Sequence, residues 1–483
     1  MEFWLVTLLV ILLGGLVLMK FGYERYIFFF LVRTKMGIDI IERIAKISPN
    51  FWRFLSDLAI FLSFGGIGAL YLSTYRESQK NLYLTLLLVG LVSITIIDLN
   101  IYLFLIGIFF VFTIFSAILE LNDWKANFII ASIFVFFIGA NFLTNFYVSV
   151  ALSIFGIPAL IMLGLFYHAI DIVLGVSSLP GVSPLLPGTR GGRIGVSFPG
   201  YEIFIPWTYA VIAIIVTLVA HEFSHGILSR VNKIRLKSVG ILTFGILPIG
   251  AFVEPDEEEM NSKKSLDRMQ LFAIGSFANI VVGIISGLLL IGMVPLFSGI
   301  IEQDGIRVVG LNEGYPAYDI LKEDMVVYKI NENSTKTIES FERVMSAVKP
   351  DQEIVLTTNM GVFKLNTTKD PENESRAFIG IYLEEHVKLK DSVREKFDLD
   401  PYYLIFIFTS LSWISFFNIN IALVNLLPII PFDGGRMFRE IISVIKIDKS
   451  IIRKIIYLVI AATATVFVLN MLPLIRMVID SIF

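Results

Sequence analysis

The stretch HEFSH, residues 221–225, closes the apolar run VIAIIVTLVA, residues 211–220. In an α-helix, residues four positions apart lie on the same face, so the imidazoles of His221 and His225 can bind one metal ion. Glu222 then stands beside them, within reach of a water at that metal. An ionisable side chain at mid-bilayer costs ~2.5 to 3.5 kcal/mol on insertion scales, so this cluster indicates a functional site in a membrane protein.

Composition sets the class of protein. The chain has 483 residues, of which 56% are hydrophobic and 17% are charged. Long apolar stretches occur along most of it, so we expect an integral membrane protein with a smaller soluble insert. The net charge of -3, with no basic stripe outside short loops, indicates no nucleic-acid partner. Cysteine is absent, so a metal site has to use histidine, aspartate or glutamate.

The apolar segments predict a polytopic α-helical membrane protein with about ten transmembrane helices. Six segments lie near residues 3–19, 54–73, 82–97, 101–119, 127–147 and 149–168. Four more lie near residues 206–229, 268–296, 402–432 and 455–481. The first segment lacks a basic leader and a small-residue cleavage site, so we expect a retained helix there.

Basic residues predict the orientation. Lysine and arginine cluster at residues 230–237, 263–268 and 436–454. The positive-inside rule places these loops in the cytoplasm and residues 300–390 outside. We therefore expect a multi-pass protein of the cell membrane, with the metal cluster toward the cytoplasmic side.

Residues 299–388 are expected to form an inserted extracytoplasmic α+β domain. Short β-type runs recur at residues 306–311, 325–330, 353–358, 362–367 and 378–383. Between them, apolar residues at helical spacing from Ile338 to Val348 mark one helix face, which Lys349-Pro350 ends. This order of strands and helix resembles a PDZ domain of the kind attached to membrane proteases.

Asp433 is the best candidate for a third metal ligand. A hydrolytic zinc site usually has three protein ligands, so two histidines are one short. Asp433 lies in NLLPIIPFDGG, residues 425–435, at the end of an apolar segment. Two prolines and two glycines break a helix there and expose backbone groups, which membranes tolerate only inside protein or beside a water-filled cavity. Taken alone, Asp433 would be an interfacial helix cap.

Together these segments resemble the paired signatures of the site-2 protease family of intramembrane zinc metalloproteases. The first is HExxHG at residues 221–226, and the second is NxxPxxPxDGG at residues 425–435. GSFAN, residues 275–279, resembles the Gly-Pro-x-x-Asn element of the family's middle core helix, with Ser276 where proline is common. GILPIGAFV, residues 245–253, resembles the Gly-rich β-type segment that follows the first core helix.

The resemblance implies that His221, His225 and Asp433 bind one Zn²⁺ per chain. It implies that Glu222 is the general base of a zinc metalloendopeptidase. The expected substrates are single-span membrane proteins, cut within their transmembrane segments in regulated intramembrane proteolysis.

Further residues are candidates for substrate contact: Gly250, Ala251, Phe252, Asn279 and Asn425. A transmembrane helix hides its peptide bonds in its own hydrogen bonds, so a substrate has to unwind locally before hydrolysis. Residues 245–253 can offer a strand edge to the unwound peptide. For Asn425, satisfying backbone groups beside the prolines is an equally good explanation. The PDZ-like domain is expected to contact peptides or substrate ectodomains.

The resemblance and the apolar pattern divide the chain into an N-terminal membrane region, a split catalytic core around the PDZ-like domain, and a C-terminal transmembrane helix. The expected bounds are 1–200, 201–298, 299–388, 389–440 and 441–483. Two other functions fit the same residues. An ion-coupled transporter would use intramembrane histidine and aspartate for ion binding or proton relay. A noncatalytic scaffold would bind membrane helices, although it has no need of Glu222 beside a metal.

Overall fold

The computed structural model describes residues 2–75, 154–190, 193–201, 203–371, 373–394, 400–444 and 448–482. The predicted spans near 82–97, 101–119 and 127–147, and the start of the span near 149–168, lie outside the described residues. The described helices are α1 Glu2–Lys20, α2 Ile38–Ile47, α3 Pro49–Ser73, α4 Ile157–Val173, α5 Trp207–Val231, α6 Glu257–Ser262, α7 Ser265–Ile300, α8 Ile338–Ser346, α9 Asp391–Arg394, α10 Pro401–Asn425, α11 Asp433–Ser443 and α12 Lys449–Ile482.

By total length and apolar composition alone, five of the described helices qualify as candidate membrane spans: α3, α5, α7, α10 and α12. The helical segments predicted near 206–229 and 268–296 are confirmed as α5 and α7. The predicted span near 402–432 is wrong in extent, because α10 ends at Asn425, before two prolines that cannot continue a helix. The total of ten spans stays a prediction.

Helix α3 reverses direction at Gly65, whose φ of 53° and ψ of -130° are not helical. A straight helix would separate Ile60 from Gly68 by about 12 Å. Instead, a Cβ on Gly68 would lie 2.5 Å from the carbonyl oxygen of Ile60. The predicted span near 54–73 is therefore a helical hairpin rather than one straight crossing.

Both legs of α3 lie beside the first turns of α7. Gln270 donates a hydrogen bond to the Asp57 carboxylate at 2.6 Å, and the Tyr71 hydroxyl lies 2.8 Å from the Ser265 hydroxyl. Apolar side chains from both legs belong to one core with side chains of α5, α7 and α11. The hairpin thus supports the two helices that carry most of the predicted motifs.

A four-stranded antiparallel sheet has the order β1-β2-β6-β7. Its strands are β1 Glu24–Tyr26, β2 Phe29–Thr34, β6 Leu236–Phe244 and β7 Leu247–Pro255. β7 confirms the predicted β-type segment, and its second edge pairs with no described strand. The β6–β7 turn packs on α1, because a Cβ on Gly245 would lie 2.3 Å from the carbonyl oxygen of Ile11. Ile11 lies about 13 Å along the helix axis from Lys20, the last residue of α1.

The chain forms two compact units. The first comprises Met1–Ser183, Ile214–Ile284 and Phe416–Phe483, and the second comprises Pro184–Ala213 and Ile285–Ser415. The first unit holds the four-stranded sheet and the core formed by α3, α5, α7 and α11. All of the predicted metal ligands belong to this unit.

The second unit contains a three-stranded and a six-stranded sheet among its described residues. The first is formed by β3 Leu186–Arg190, β4 Arg193–Ser197 and β5 Phe204–Pro206. The second has the order β12-β11-β9-β8-β15, with β10 paired to β9. Its strands are β8 Ile301–Leu311, β9 Val326–Ile330, β10 Asn333–Ser334, β11 Glu353–Thr358, β12 Gly361–Asn366 and β15 Ile381–Leu389. A short hairpin of β13 Thr368–Lys369 and β14 Ala377–Phe378 completes the fold.

The predicted strands and helix of this insert are confirmed in position, with one difference. The single strand predicted at 378–383 is interrupted at Gly380, whose φ of 78° is left-handed. A Cβ on Gly380 would lie 2.2 Å from Cβ of Tyr315, so only glycine fits this break. α8 begins with a capping box formed by Thr337 and Ser340.

Candidate metal centre

Helix α5 presents His221 and His225 on one face. The two Nε2 atoms are 3.2 Å apart, as the spacing of four residues predicts. His221 is buried and His225 is nearly so. Two imidazole nitrogens at this distance, shielded from bulk water, are arranged to share one ion.

Asp433 joins the histidines from a distant part of the chain. Its Oδ2 lies 3.3 Å from Nε2 of His221 and 3.1 Å from Nε2 of His225. The Asp433 side chain is 9% exposed, so it too is shielded from bulk water. The structure therefore brings together the three predicted ligands, and they form the metal-capable group of the described residues.

The connector between α10 and α11 delivers Asp433 to this point. α10 ends at Asn425 and α11 begins at Asp433, as the prolines and glycines of this stretch predict. A Cβ on Gly434 would lie 2.2 Å from the carbonyl oxygen of Leu426, and a Cβ on Gly435 would lie 2.5 Å from the backbone of Ile429. Both glycines are thus needed for the connector to pack against the start of α11.

The donor atoms fit zinc. Tetrahedral zinc with bonds of about 2.0 Å has donor atoms about 3.3 Å apart. The measured separations of 3.1, 3.2 and 3.3 Å match one triangular face of such a tetrahedron. Two imidazoles and one carboxylate are also ligands that zinc prefers in hydrolytic sites, which keep a fourth position for water.

The second ring nitrogen of His225 is fixed by the backbone. Nδ1 donates a hydrogen bond to the carbonyl oxygen of Leu271 in α7, at 2.7 Å. A proton on Nδ1 leaves the lone pair of Nε2 free for a metal. The contact thus selects the tautomer that a ligand needs.

Asn279 plays the matching part for His221. Its side chain is fully buried, its amide group lies 3.3 Å from Nδ1 of His221, and its Oδ1 lacks a hydrogen-bond partner. Rotating the amide by 180° exchanges its oxygen and nitrogen, and then the oxygen accepts from Nδ1–H of His221. Asn279 thus lies against a metal ligand, and its predicted contact with substrate stays a prediction.

Gly275 lets α7 approach the two imidazoles. A Cβ at this position would lie 2.4 Å from Nε2 of His225 and 2.9 Å from Cε1 of His221. Any side chain would therefore enter the space between the metal-binding nitrogens. Sequence reasoning missed this role and that of the Leu271 carbonyl, although the spacing of four between Gly275 and Asn279 places both on one helix face.

Glu222 is held beside the ligands by the four-stranded sheet. Its Oε2 accepts a hydrogen bond from the backbone N–H of Val253 in β7, at 2.9 Å. The side chain is half-buried and is not part of the three-ligand group. This carboxylate keeps its second oxygen available as a proton acceptor, and its role as general base stays a prediction.

A comparison with models of protein families establishes the family of this chain. Peptidase family M50, the site-2 protease family, matches residues 209–471, which is more than half of the chain. The chain belongs to peptidase family M50. The matched range includes His221, His225 and Asp433, so membership supports a membrane metalloprotease and suggests zinc as its metal.

Two relatives resemble the M50 chain. An uncharacterised protein of Methanocaldococcus jannaschii is 26% identical over 305 residues, covering 62% of this chain and 73% of that protein. A Clostridium perfringens protein named "putative zinc metalloprotease" is 25% identical over 303 residues, covering 49% of this chain and 88% of that protein.

The substrate-contact candidates of the M50 chain on β7 lie at a sheet edge. Val253 donates its N–H to Glu222, away from β6, and backbone groups of alternate residues point the same way. The N–H of Ala251 therefore faces the free edge, whereas that of Phe252 faces β6. The Phe252 ring covers Gly240, because a Cβ there would lie 2.5 Å from its Cζ. Gly250 pairs with Leu242 in the ladder.

Asn425 is the last residue of α10. Its side chain is half-buried and makes no hydrogen bond to another described residue. Its amide is thus free for a ligand, and the prediction of a substrate contact stays a prediction.

Proposed function

We propose that this chain is an intramembrane zinc endopeptidase that hydrolyses peptide bonds within transmembrane segments of other membrane proteins. The observation that carries the proposal is the convergence of His221, His225 and Asp433 on one point of an apolar, span-length helix. Charged and ligating groups are costly inside a bilayer, so such a cluster is expected only where it has a chemical task.

The three ligands would hold one zinc ion per chain. Zinc in such a site acts as a Lewis acid and lowers the pKa of a water toward ~7. The ligands themselves are kept in position by α7, through the Leu271 carbonyl for His225 and the Asn279 amide for His221. This outer support orients the imidazoles before any substrate arrives.

Glu222 is the general base in this proposal. Its carboxylate takes a proton from the attacking water and later delivers a proton to the leaving amine. The hydrogen bond from Val253 orients the carboxylate while leaving its second oxygen available. The proposed base is therefore hydrogen-bonded to β7, the strand with the free edge.

The free edge of β7 is the proposed docking site for the unwound substrate. A peptide that adds as a strand would hydrogen-bond to outward backbone groups, among them the N–H of Ala251. Because Glu222 bonds to the same edge at Val253, a peptide lying there would have its backbone close to the base.

The proposal also covers the side of the membrane that the active site faces and the location of the insert. The basic residues at 230–237 and 263–268 favour the cytoplasmic side for the active site. Residues 299–388 would then form a PDZ-like domain outside, which contacts peptides or the ectodomains of single-span substrates. The six-stranded sheet with its capped helix α8 supports this assignment at the level of secondary structure.

A single substitution tests the proposal. Glu222→Gln keeps the shape of the side chain and the bond from Val253 but removes the base, so the purified full-length variant should bind zinc normally and fail to cleave a panel of single-span membrane peptides. Glu258→Gln, the same change at an exposed carboxylate, is the matched control and should cleave like the wild type.

Two outcomes contradict the proposal. Equal cleavage by wild type and Glu222→Gln would refute the role of the base. Solute flux in sealed vesicles without proteolysis would favour a transporter instead.

A further inference from the structure

Helix α11 carries two buried acids on one face. Asp433, the metal ligand, lies in its first turn, and Glu440 follows seven residues later. Seven residues are close to two helical turns, so both side chains lie on the same face of α11. As whole residues, Asp433 and Glu440 are 7% and 5% exposed, respectively. The mechanism gives Glu440 no chemical task, so its burial needs another explanation.

Glu440 is held by three hydrogen bonds from α7. Arg268 donates to both carboxylate oxygens, from Nε at 2.8 Å and from Nη2 at 2.9 Å, and Ser265 donates to Oε2 at 2.6 Å. The Tyr71 hydroxyl of α3 lies 2.8 Å from that of Ser265. A bidentate arginine–carboxylate pair fixes orientation as well as distance, because its two parallel bonds allow one arrangement of the planes.

The same face of α7 also holds the histidines. Its contact residues are Ser265, Arg268, Leu271, Gly275 and Asn279, which are separated by three or four positions and so form one stripe. The last three of these contact the imidazoles, and the first two contact Glu440. One rigid helix face thus determines where both sides of the metal centre lie.

We propose that Arg268 and Glu440 are positioning residues, which set the distance of Asp433 from His221 and His225. The inference rests on the metal site of the proposed function. α11 has 11 residues, and the connector before it packs against its first turn at Gly434 and Gly435, so contacts farther along the helix are needed to hold its direction. The ion pair supplies such a contact, two turns away from the ligand.

The expected consequence is a change in metal affinity rather than in folding alone. All donor atoms must lie at bonding distance at once, and loss of an outer partner of a ligand typically costs ~10- to 100-fold in affinity. Weakening the ion pair should loosen α11 and let Asp433 move away from the histidines. A residue that served only stability would leave the affinity of the folded protein unchanged.

The test uses full-length protein in detergent and measures the zinc dissociation constant by competition with a chelator. Glu440→Gln keeps the volume and one acceptor but loses the charge and the bidentate pair. Its dissociation constant should rise, by up to the ~10- to 100-fold that loss of a direct partner of a ligand causes. Arg268→Lys keeps the charge and loses the fork, so a smaller rise is expected. It also serves if Glu440→Gln does not fold.

A matched control separates positioning from general damage. Glu42→Gln removes another partly buried ion pair of the same unit, in which Arg230 lies 2.9 Å from Glu42, and should leave zinc affinity unchanged. The visible absorption of cobalt-loaded protein gives a second readout, since a displaced carboxylate alters the coordination of the ion. Glu440→Gln should change this spectrum and Glu42→Gln should not.

Three results would overturn the inference. Wild-type affinity in both Glu440→Gln and Arg268→Lys would exclude a positioning role. Equal weakening in Glu42→Gln would show a general loss of stability instead. A wild-type protein that binds no zinc would refute the proposed function, and the positioning role with it.

Discussion

Each unit of the chain contains an arginine–glutamate pair, and the two pairs differ in burial. In the first unit, Arg268 and Glu440 meet at 2.8 Å with side chains 22% and 6% exposed. In the second unit, Arg307 and Glu384 meet at 2.7 Å with side chains 23% and 42% exposed. The glutamate is buried in one pair and open to water in the other. Nearly equal distances therefore correspond to unequal consequences, since water screens the second pair much more than the first.

The surroundings of the pairs differ in the same direction. Glu384 is shared with Arg193 at 2.6 Å, and the guanidinium of Arg307 lies over the Tyr402 ring at 4.7 Å, so the second cluster braces a surface. Burial lowers the pKa of His386, which hydrogen-bonds to Tyr402 at 2.7 Å beside it. In the first unit, by contrast, the Arg268–Glu440 pair holds the helix that carries Asp433. Changes to this pair should affect zinc affinity, and changes in the second cluster should affect neither zinc nor catalysis.

The largest effect is expected for Gly275→Ala. The new Cβ would lie 2.4 Å from Nε2 of His225, where the metal has to bind. Zinc affinity should fall by more than the ~100-fold that the loss of an outer partner causes. The zinc content of the purified protein is the measurement that reports this loss of affinity. Gly292→Ala on the same helix is the control, because a Cβ there meets nothing within 4 Å. Normal zinc content in Gly275→Ala would contradict the site geometry.

A smaller loss is expected for Asn279→Leu, which leaves Nδ1–H of His221 without an acceptor. The zinc dissociation constant should rise ~10- to 100-fold. Asn279→Asp supplies a carboxylate oxygen at the same place and should keep affinity near the wild-type value. Equal affinities for the two variants would show that His221 needs no acceptor.

Ala251→Pro should affect cleavage without affecting zinc. The substitution removes one N–H from the free edge of β7, and one hydrogen bond of about 0.5 to 1.5 kcal/mol corresponds to roughly a 2- to 12-fold loss in kcat/KM. Ala251→Ser keeps the N–H and is the control. Phe252→Pro removes an N–H that faces β6, so it should lower the unfolding temperature instead. Unchanged turnover in Ala251→Pro would argue against strand addition at this edge.

The smallest effect is expected for Glu384→Gln in the second unit. The change breaks pairs with Arg307 and Arg193, but solvent screens them, so the free energy of unfolding should fall by less than ~1 kcal/mol. Zinc affinity should equal that of the wild type. A loss of affinity here as large as in Glu440→Gln would erase the contrast between the two pairs.

Much of the metal centre was predictable from sequence for a physical reason. Ionisable residues are rare in apolar segments, so His221, His225 and Asp433 stand out, and their spacing within helix and connector is local information. Their partners were not predictable. Gly275 and the Leu271 carbonyl act through the rotation of α7 against α5, and the sequence does not state that rotation. Asn279 carried a motif, but its contact with a histidine depends on the same packing.

The fold shows the same division between local and distant information. The strands of the insert follow alternation along a few residues, and the end of α10 follows its prolines, whereas the break at Gly380 depends on Tyr315, 65 positions away. The reversal of α3 had a visible signal in Gly65-Gly66 and Gly68, yet hydropathy averages over such a bend. An average of hydropathy along the chain detects the length of an apolar segment but not a change in the direction of its helix axis.

That reversal has a consequence for sidedness. A helical hairpin that enters a bilayer and returns to the same side contributes two helical legs but no membrane crossing, even when its sequence is strongly apolar. A count of crossings based on hydropathy alone would take this hairpin for one crossing. It would then assign every later loop to the wrong side of the membrane. Labelling engineered cysteines at Ser48 and Tyr75, which flank the hairpin, would reveal whether both lie on the same side.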